Sequence, residues 1–305
     1  MASVTVNEDA SGGVIRGILL MILAGFMFSL LDATAKFLGP YMHPLEISWL
    51  RFVTHVLVVF LIFRVWERPS QLKVNDPKMQ ILRGLCMCGS TGFNFAAVQY
   101  LQLTEAAAIM FAAPLVVTAL SGPLLGEWAG WRRWAAVIVG FLGVALVTRP
   151  GFGEVHWAVL LSFGAMLSYA LYILLTRRLG SSEETGTLLI WPGFVGVALF
   201  APLAAPVFEV PALPLWPIVL LMGVFGAYGH YVLILAHKLA TPNVLAPFAY
   251  TQMIWMIVLG FVLFGDLPDV WTMAGTAIVA ASGLYILHRE RVRSLEASVR
   301  DPAVQ

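Results

Sequence analysis

The sequence predicts an all-α integral membrane protein with ten transmembrane helices arranged as two inverted five-helix repeats. Three observations support this prediction. The composition is 60% hydrophobic and only 11% charged, the chain contains a series of apolar runs long enough to cross a bilayer, and two sets of glycine motifs recur at matched spacing. Since a soluble domain carries about 25% charged residues, the composition excludes an ordinary water-soluble protein.

Ten apolar segments follow one another along the chain and give the helix count. A bilayer core about 30 Å thick requires about 20 apolar residues per helix. The predicted helices cover residues 14–38, 44–64, 79–101, 104–125, 131–149, 156–176, 185–205, 214–237, 241–264 and 268–288. The first segment lacks a small-x-small cleavage site, so we expect it to remain as a span.

The distribution of lysine and arginine predicts how the helices are oriented. Of the 18 such residues, fifteen fall on one side of the membrane if the first helix enters from the cytoplasm. Arg149 falls on the other side, and Lys36 and Arg51 lie inside spans. Because cytoplasmic connections are enriched in positive charge, we expect a multi-pass protein of the cell inner membrane with both termini in the cytoplasm.

Two motifs recur in the second half of the chain at the spacing that they have in the first. A Gly-x-x-Gly motif, at Gly89–Gly92 and at Gly226–Gly229, is followed in each half by a threonine twelve residues later. A Gly-acid pair, at Gly126-Glu127 and at Gly265-Asp266, precedes a tryptophan that is followed twelve residues later by a glycine. Glycine in lipid often serves only close helix packing, but packing alone does not explain the matched spacing.

A duplication of five helices explains these motifs. The predicted repeats are residues 14–151 and 152–289, between a cytoplasmic tail of residues 1–13 and another of residues 290–305. Because five is an odd number, the second repeat must start from the opposite face of the membrane and is inverted. Inverted repeats are typical of transporters that bind a solute near the membrane midplane and work by alternating access.

Polar side chains inside the first two spans predict a hydrated pocket. A charged group at a span centre costs about 2.5–3.5 kcal/mol on insertion scales, so it should face a cavity or a partner. Asp32 and Lys36 are one turn apart and can pair, and Arg51 and His55 share one stripe of the second span. We expect these four residues to line an outer vestibule; structural ion pairs between helices are the alternative for Asp32, Lys36 and Arg51.

Further polar and aromatic residues occur near the centres of later spans. Rings that cover apolar parts of a ligand and amides that orient its polar parts suit an amphiphilic small molecule. The predicted substrate-binding or translocation residues are Asp32, Lys36, Arg51, Asn94, Tyr169, Tyr172, Trp191, His230, Tyr250, Gln252 and Trp255. Asp32 is also a candidate for proton coupling. Helices are predicted to be interrupted at Pro114, Pro192, Gly193 and Pro247.

Several kinds of site and partner are not expected. A net charge of +1 does not fit nucleic-acid binding. Cys86 and Cys88, the two cysteines, are too few for a disulfide framework or a cysteine-rich metal site. No nucleotide-binding Gly-x-x-x-x-Gly-Lys-Ser/Thr motif is present, so we expect no cofactor and no ATP hydrolysis by this chain. The expected partners are a small-molecule metabolite and the lipid bilayer, and the sequence leaves the oligomeric state open.

Two segments resemble a known family. They are Leu103–Ala108, which leads to Pro114-Leu115 and Gly126-Glu127, and Ala246–Gln252, which leads to Phe264–Asp266. With the inverted duplication, they make the chain resemble the drug/metabolite transporter superfamily, specifically its bacterial EamA-domain branch. The resemblance implies a secondary transporter of a small amphiphilic metabolite. Lys36 matches a lysine that is frequent in the family near the end of the first span.

The resemblance also narrows the substrate class. His43–Glu46, Arg51-Phe52 and Ile81–Gly84 are similar to members that take up S-adenosylmethionine or riboflavin. Other members export amino acids or metallophores, so the resemblance leaves substrate and direction open. In span nine, Tyr250-Thr251-Gln252 departs from the proline-containing pattern of span four. A strictly symmetric site is therefore not expected.

Two other functions fit the sequence less well than transport. A membrane-embedded enzyme acting on a lipid or isoprenoid substrate would need clustered acids or histidines for metal or acid–base chemistry. No Asp-rich motif or His-x-x-x-His pair lies at a membrane face. A channel fits less well, since polar groups spread over two inverted bundles favour a closed pocket over a continuous pore.

Overall fold

In the part of the chain that it describes, the computed structural model consists of α-helices, three 3-10 turns and irregular connections. It describes residues 8–62, 64–67, 69–126, 128, 130–149, 156–179, 183–240 and 242–300, and within these the side chains of residues 8–12, 125, 177, 185, 242–243, 246–247 and 290–300 are not described. The helices are α1 Glu8–Leu38, α2 Pro44–Ile62, α3 Pro77–Ala97, α4 Leu103–Met110, α5 Ala113–Leu125, α6 Trp131–Thr148, α7 Ala158–Leu179, α8 Thr185–Ala204, α9 Trp216–Leu239, α10 Pro242–Ala249, α11 Thr251–Phe264 and α12 Val270–Arg300. Within these ranges no β-strand occurs.

The described residues form an all-α, multi-pass membrane protein, as the sequence predicted. Eight segments in the described part of the chain are long and apolar enough to cross a membrane: Gly13–Leu38, Pro44–Ile62, Leu103–Leu124, Trp131–Thr148, Ala158–Thr176, Gly186–Val207, Leu213–Leu239 and Val270–Arg289. α11 is a shorter apolar helix. The remaining predicted span is α3, whose Lys78, Arg83 and Asn94 reduce its apolar character. The number ten therefore stays a prediction.

The first and last helices extend beyond the predicted spans into the predicted tails. α1 begins at Glu8, before residue 14. α12 continues to Arg300, just before Asp301-Pro302. Residues 1–7 and 301–305 of the predicted tails lie outside the described residues.

Helix packing relates the first half of the chain, α1–α6, to the second half, α7–α12. The first helix of each half packs on the third span of the other, as α1 on α9 and α3 on α7. The second spans pack together as α2 and α8, the fourth as α4 and α11, and the fifth as α6 and α12. If the two halves exchange places, each of these helix pairs coincides with itself or with the equivalent pair. This is the packing that two related halves around a two-fold axis produce.

The repeated Gly-x-x-Gly motifs lie where the two halves meet. A Cβ atom at Gly89 would lie 2.7 Å from Ser168 Oγ, and one at Gly229 would lie 2.9 Å from the Phe28 ring. Gly92 and Gly226 likewise face side chains of the other half. Without side chains at these positions the helices approach closely, which is the usual role of small residues in membrane helices.

The repeated Gly-acid pairs end two corresponding helices. Gly126 ends α5 with φ 75°, and Gly265 ends α11 with φ 72°. Glycine adopts this left-handed backbone without the steric cost of a Cβ atom. The residue after Gly126, Glu127, lies outside the described residues. The residue after Gly265 is Asp266, whose carboxylate contacts α1.

Two predicted spans are each divided into two helices. The fourth span is broken at Phe111 and Ala112, between α4 and α5, and Pro114 lies in the first turn of α5. The ninth span is broken at Tyr250, after the helix that contains Pro247. The expected interruption at Pro192 and Gly193 was wrong, because α8 is continuous from Thr185 to Ala204. Neighbouring helices can satisfy the backbone groups that a proline frees in a membrane helix.

Candidate functional site

A cavity of about 280 Å³ lies between the two halves of the chain. Its walls come from α1, α2, α3, α4 and α5 in the first half and from α7, α9, α10 and α11 in the second. The polar residues that line it are Asp32, Arg51, Ser90, Thr91, Asn94, Tyr169, Tyr172, His230 and Gln252. The remaining lining is mostly apolar. A concave apolar site with a few converging polar groups is typical of small-molecule binding.

Asp32 reaches the cavity from the middle of α1. Its Oδ1 accepts a hydrogen bond of 2.9 Å from Asn94 Nδ2 on α3. No described residue donates to its other carboxylate oxygen, Oδ2. Two residues further along α1, the hydroxyl of Thr34 donates to the carbonyl oxygen of Leu31 in the same helix. Asp32 therefore presents one carboxylate oxygen that is free to accept a ligand donor.

Lys36 does not pair with Asp32, contrary to the expectation from their spacing. Its Nζ donates to Asp266 Oδ2 at 2.9 Å and to the carbonyl oxygen of Leu101, also at 2.9 Å. The turn at Gly265 carries Asp266 to the last turn of α1, so a distant carboxylate takes the place of the local one. We call this end of the molecule, where Lys36, Leu101 and Asp266 meet, the Lys36 end.

Arg51 enters the cavity wall from α2 and is almost completely buried, with 1% of its surface exposed. Its guanidinium lies over the Phe52 ring, 4.4 Å from the centroid. Nε and Nη1 are buried without a hydrogen-bond partner. In the described part of the chain no carboxylate lies within salt-bridge distance of it. A Cβ atom at Gly226 would lie 3.5 Å from Nη2, so this glycine leaves room for the guanidinium.

Aromatic rings close the cavity around the broken spans. Phe111, at the break between α4 and α5, lies with its ring centroid 5.3 Å from that of Tyr250, at the break between α10 and α11. Phe28 contacts His230 edge to face at 4.9 Å. The rings of Tyr169 and Tyr172 stack at 6.1 Å. Discontinuous membrane helices are typical of the central binding sites of transporters.

Comparison with known proteins identifies the fold and the class of function. The sequence model of the EamA-like transporter family matches residues 15–149 and again residues 156–287. The chain belongs to this family. The two matches correspond to two copies of one unit, in agreement with the packing of the two halves.

Curated relatives of this EamA-like transporter have transport functions. It is 25% identical over 285 residues to the S-adenosylmethionine uptake transporter of Rickettsia prowazekii, covering 93% of this chain and 96% of the relative. It is 22% identical over 284 residues to the riboflavin transporter of Vibrio cholerae, covering 92% and 95%. A protein of known crystal structure shares the fold at 19% identity with a TM-score of 0.62, covering 90% of this chain and 97% of that one. By its family the chain is a transporter, and these relatives give no support to the membrane-enzyme alternative.

Not all of the predicted site residues of this EamA-like transporter reach the cavity. The structure brings together Asp32, Arg51, Asn94, Tyr169, Tyr172, His230 and Gln252 in its lining. Lys36, Trp191, Tyr250 and Trp255 are not among the lining residues. Trp191 Nε1 donates to the Leu72 carbonyl oxygen, and the ring of Trp255 packs against Phe26. The hydroxyl of Tyr250 points to Gly283 on α12.

Asp32, Lys36, Arg51 and His55, which were expected to line one vestibule, therefore do not line a common cavity. His55 is buried outside the cavity lining, and its Nε2 lies 3.3 Å from the Leu189 carbonyl oxygen on α8. Its role in the structure is contact between α2 and α8. Asp32 and Arg51 share the cavity, while Lys36 lies at the Lys36 end.

Arg83 is a buried residue that the sequence analysis included among the cytoplasmic charges and in the family-like segment Ile81–Gly84, but not among the predicted site residues. Its guanidinium donates to Thr176 Oγ1 at 2.7 Å, to Tyr172 Oη at 2.9 Å, to Leu188 O at 3.0 Å and to Gln80 Oε1 at 3.1 Å. It therefore joins α3 to α7 and α8, just beside the cavity residue Tyr172. The signal in the sequence was the arginine one turn after Gln80 in an otherwise apolar helix.

Proposed function

We propose that this chain is a secondary transporter of the cell inner membrane that moves a small amphiphilic metabolite through the central cavity by alternating access. It crosses the membrane ten times, as two inverted repeats of residues 14–151 and 152–289. Both termini are cytoplasmic, so the Lys36 end faces the periplasm. The candidate solutes are amino-acid-like, S-adenosylmethionine-like or riboflavin-like.

The observation that carries this proposal is the composition of the cavity walls. Asp32, Arg51 and Asn94 come from the first half, and Tyr169, Tyr172, His230 and Gln252 come from the second. A solute bound there contacts both halves at once. Rocking one half against the other would then expose the same site to each side of the membrane in turn.

Contacts at the Lys36 end support an inward-facing state of the cycle. Each broken span has one segment at this end, which is α4 in the first half of the chain and α11 in the second. These two segments pack against each other. Lys36 connects α1 to Leu101, just before α4, and to Asp266, just after α11. On the cytoplasmic side, α5 packs mainly against α6 and α7, and α10 packs mainly against α1 and α12. The route to the periplasm is then closed by the Lys36 contacts.

Proton coupling through Asp32 is part of the proposal. The carboxylate faces the cavity and has a neutral partner, Asn94, rather than a cation. A carboxylate in such a place can hold a proton in one half of the cycle and a solute cation in the other. The remaining predicted residues, Lys36, Trp191, Tyr250 and Trp255, would act through closure and packing of the helices rather than through solute contact.

Counterflow in proteoliposomes tests the transport function. Vesicles containing the purified protein are loaded with unlabelled S-adenosylmethionine or riboflavin, and uptake of the same labelled compound is followed. We expect transient accumulation of label for at least one of them, absent from protein-free vesicles. Uptake equal to that of the empty vesicles for both compounds would contradict the S-adenosylmethionine-like and riboflavin-like candidates. Reporter fusions at the C-terminus test the orientation, since a periplasmic C-terminus would contradict the ten-span arrangement.

A further inference from the structure

Arg51 has the largest unmet hydrogen-bonding requirement in the cavity wall. A guanidinium carries five N–H donors, yet Nε and Nη1 of Arg51 are buried without a partner and no described residue accepts from Nη2. A buried cation without an anion or acceptors is costly. An anionic group that enters the cavity would remove this cost.

Arg83 shows that the lack of partners is particular to Arg51. Both arginines are at least 98% buried, and no described carboxylate forms a salt bridge with either. Arg83 nevertheless uses four hydrogen bonds to neutral oxygen atoms of α3, α7 and α8. Arg51 lines the cavity and Arg83 does not. The difference leaves the donors of Arg51 available to a group that is not part of the chain.

Asp32 offers the opposite charge in the same cavity. One of its oxygens is held by Asn94, and no described residue donates to the other. Although Asp32 and Arg51 both line the cavity, they do not form a salt bridge with each other. A carboxylate and a guanidinium that share a pocket without forming a salt bridge are each available to a ligand group of opposite charge.

We propose that Arg51 binds the carboxylate of the transported solute and Asp32 binds its cationic group, so that the substrate is a zwitterion with an apolar or aromatic part. The forked donors of arginine match a carboxylate in two-point contact. Phe28, Phe111 and Tyr169 supply cavity walls for the uncharged part. This proposal rests on the transport function proposed above and narrows its solute range.

The proposal distinguishes between the substrates named for the relatives. S-adenosylmethionine carries a carboxylate, an ammonium, a sulfonium and an aromatic base, and so matches all three features of the cavity. Riboflavin has no carboxylate and is uncharged at neutral pH, so it could offer hydrogen bonds but no opposite charge to Arg51 or to Asp32. We therefore expect the cavity to prefer the first kind of molecule.

The decisive experiment compares two probes that differ in the carboxylate alone. Uptake of labelled S-adenosylmethionine and of decarboxylated S-adenosylmethionine is measured at equal, subsaturating concentrations in proteoliposomes. We expect the wild-type protein to transport the carboxylate-bearing probe at least tenfold faster. In Arg51→Gln this ratio should fall below threefold, and Arg51→Lys, which keeps the charge but not the forked donors, should lie between them.

A matched control and a binding measurement keep the result interpretable. Arg132→Gln changes an exposed arginine outside the cavity, beside Trp131, and should retain the tenfold ratio. Stabilisation of the detergent-solubilised protein against heat by each probe gives the same comparison without transport. If Arg51→Gln does not fold, the wild-type ratio and Arg51→Lys still decide the question.

The outcomes separate the solute class from the transport function. Equal wild-type transport of both probes, or an unchanged ratio in Arg51→Gln, would overturn the assignment of Arg51. Counterflow of riboflavin without binding of S-adenosylmethionine would overturn the zwitterion proposal and leave the transport function intact. Arg51-dependent binding of S-adenosylmethionine without counterflow of any probe would support the site and contradict transport of this solute class.

Discussion

Lys36 and Asp266 form an ion pair of 2.9 Å between the last turn of α1 and the residue that follows the glycine at the end of α11. Their side chains are 17% and 27% exposed, so solvent screens the pair only in part. The second bond of Lys36, to the Leu101 carbonyl oxygen, brings the start of α4 to the same point. One amine thus holds together three elements around the Lys36 end.

Removal of this amine is predicted to open the Lys36 end. Loss of a partly exposed ion pair costs about 1 kcal/mol, which corresponds to about a fivefold shift between two states. In a background with Cys86 and Cys88 replaced by alanine, a Thr91→Cys variant places a thiol at the cavity wall. Adding Lys36→Gln should raise its reaction rate with an impermeant thiol reagent from the periplasm about fivefold.

The Arg64–Glu67 ion pair supplies the control for this experiment. It is more exposed, at 64% and 45%, and lies in the connection after α2. Glu67→Gln should leave the labelling rate of the Thr91→Cys thiol unchanged. Equal labelling rates with and without Lys36→Gln would show that the ion pair does not close the periplasmic route.

Replacement of Arg83 is predicted to lower the free energy of unfolding, whereas replacement of Arg51 is predicted to leave it unchanged or to raise it. Arg83→Met removes four hydrogen bonds of a charged group and leaves its partners unsatisfied, so we expect a loss of about 3 kcal/mol in the free energy of unfolding. Arg51→Met removes a buried charge that has no partner in the chain, and we expect a neutral or stabilising effect in the ligand-free protein.

Unfolding of both variants in detergent, followed by the loss of helical signal, measures this difference. The same variants should respond differently to S-adenosylmethionine, because only Arg51→Met removes the proposed ligand contact. A loss of stability in ligand-free Arg51→Met as large as that in Arg83→Met would mean that Arg51 serves the fold rather than the solute.

Asp32→Asn is predicted to slow transport at least tenfold and to abolish its response to a pH gradient. The amide keeps the size of the side chain and a hydrogen-bonding group for Asn94, but it carries neither a negative charge nor a transferable proton. Uptake is measured in proteoliposomes with and without an imposed gradient. Asp269→Asn, which changes an acid near the surface of the Lys36 end, is the control. A gradient response in Asp32→Asn equal to that of the wild type would exclude Asp32 as the proton carrier.

Asp269 is predicted to make stability depend on pH through its position before α12. The backbone N–H of Thr272, 2.8 Å away, holds the pKa of this carboxylate below its ordinary value, and the guanidinium of Arg149 acts in the same direction. The contribution is present above the unfolded pKa of about 3.9 and is lost as the pH falls through the lower folded pKa.

Comparison of the wild type with Asp269→Asn isolates this charge, because asparagine can still cap the helix. The wild type should be more stable at pH 7 by about 0.5 kcal/mol, and the difference should shrink below about pH 4. A difference that is constant from pH 7 to pH 3 would show that charge is not the cause.

Local features of the sequence were sufficient to predict much of the fold. Apolar length predicted most of the spans, and the left-handed backbone at Gly126 and Gly265 explains why a glycine recurs before the acid in both halves. Asp32 and Arg51 were identifiable because a charge inside an apolar run needs a cavity or a partner. Their transport roles remain predictions.

Contacts between distant parts of the chain could not be predicted from local spacing. Asp32 and Lys36 are one turn apart, but Lys36 instead pairs with a carboxylate 230 residues away. The hydrogen bonds of Arg83 join helices that are likewise remote in sequence. Helical periodicity shows which residues share a face, but the neighbour of that face depends on how the whole bundle packs.

The contact between Phe111 and Tyr250 has a consequence for how the molecule can change shape. Both aromatic residues stand where a helical rod is divided, so neither rod carries an uninterrupted ladder of backbone hydrogen bonds past that level. The segments at the Lys36 end, α4 and α11, can tilt while α5 and α10 keep their positions in the bilayer. Reorientation then deforms two short junctions, and the long rods around them move as rigid bodies.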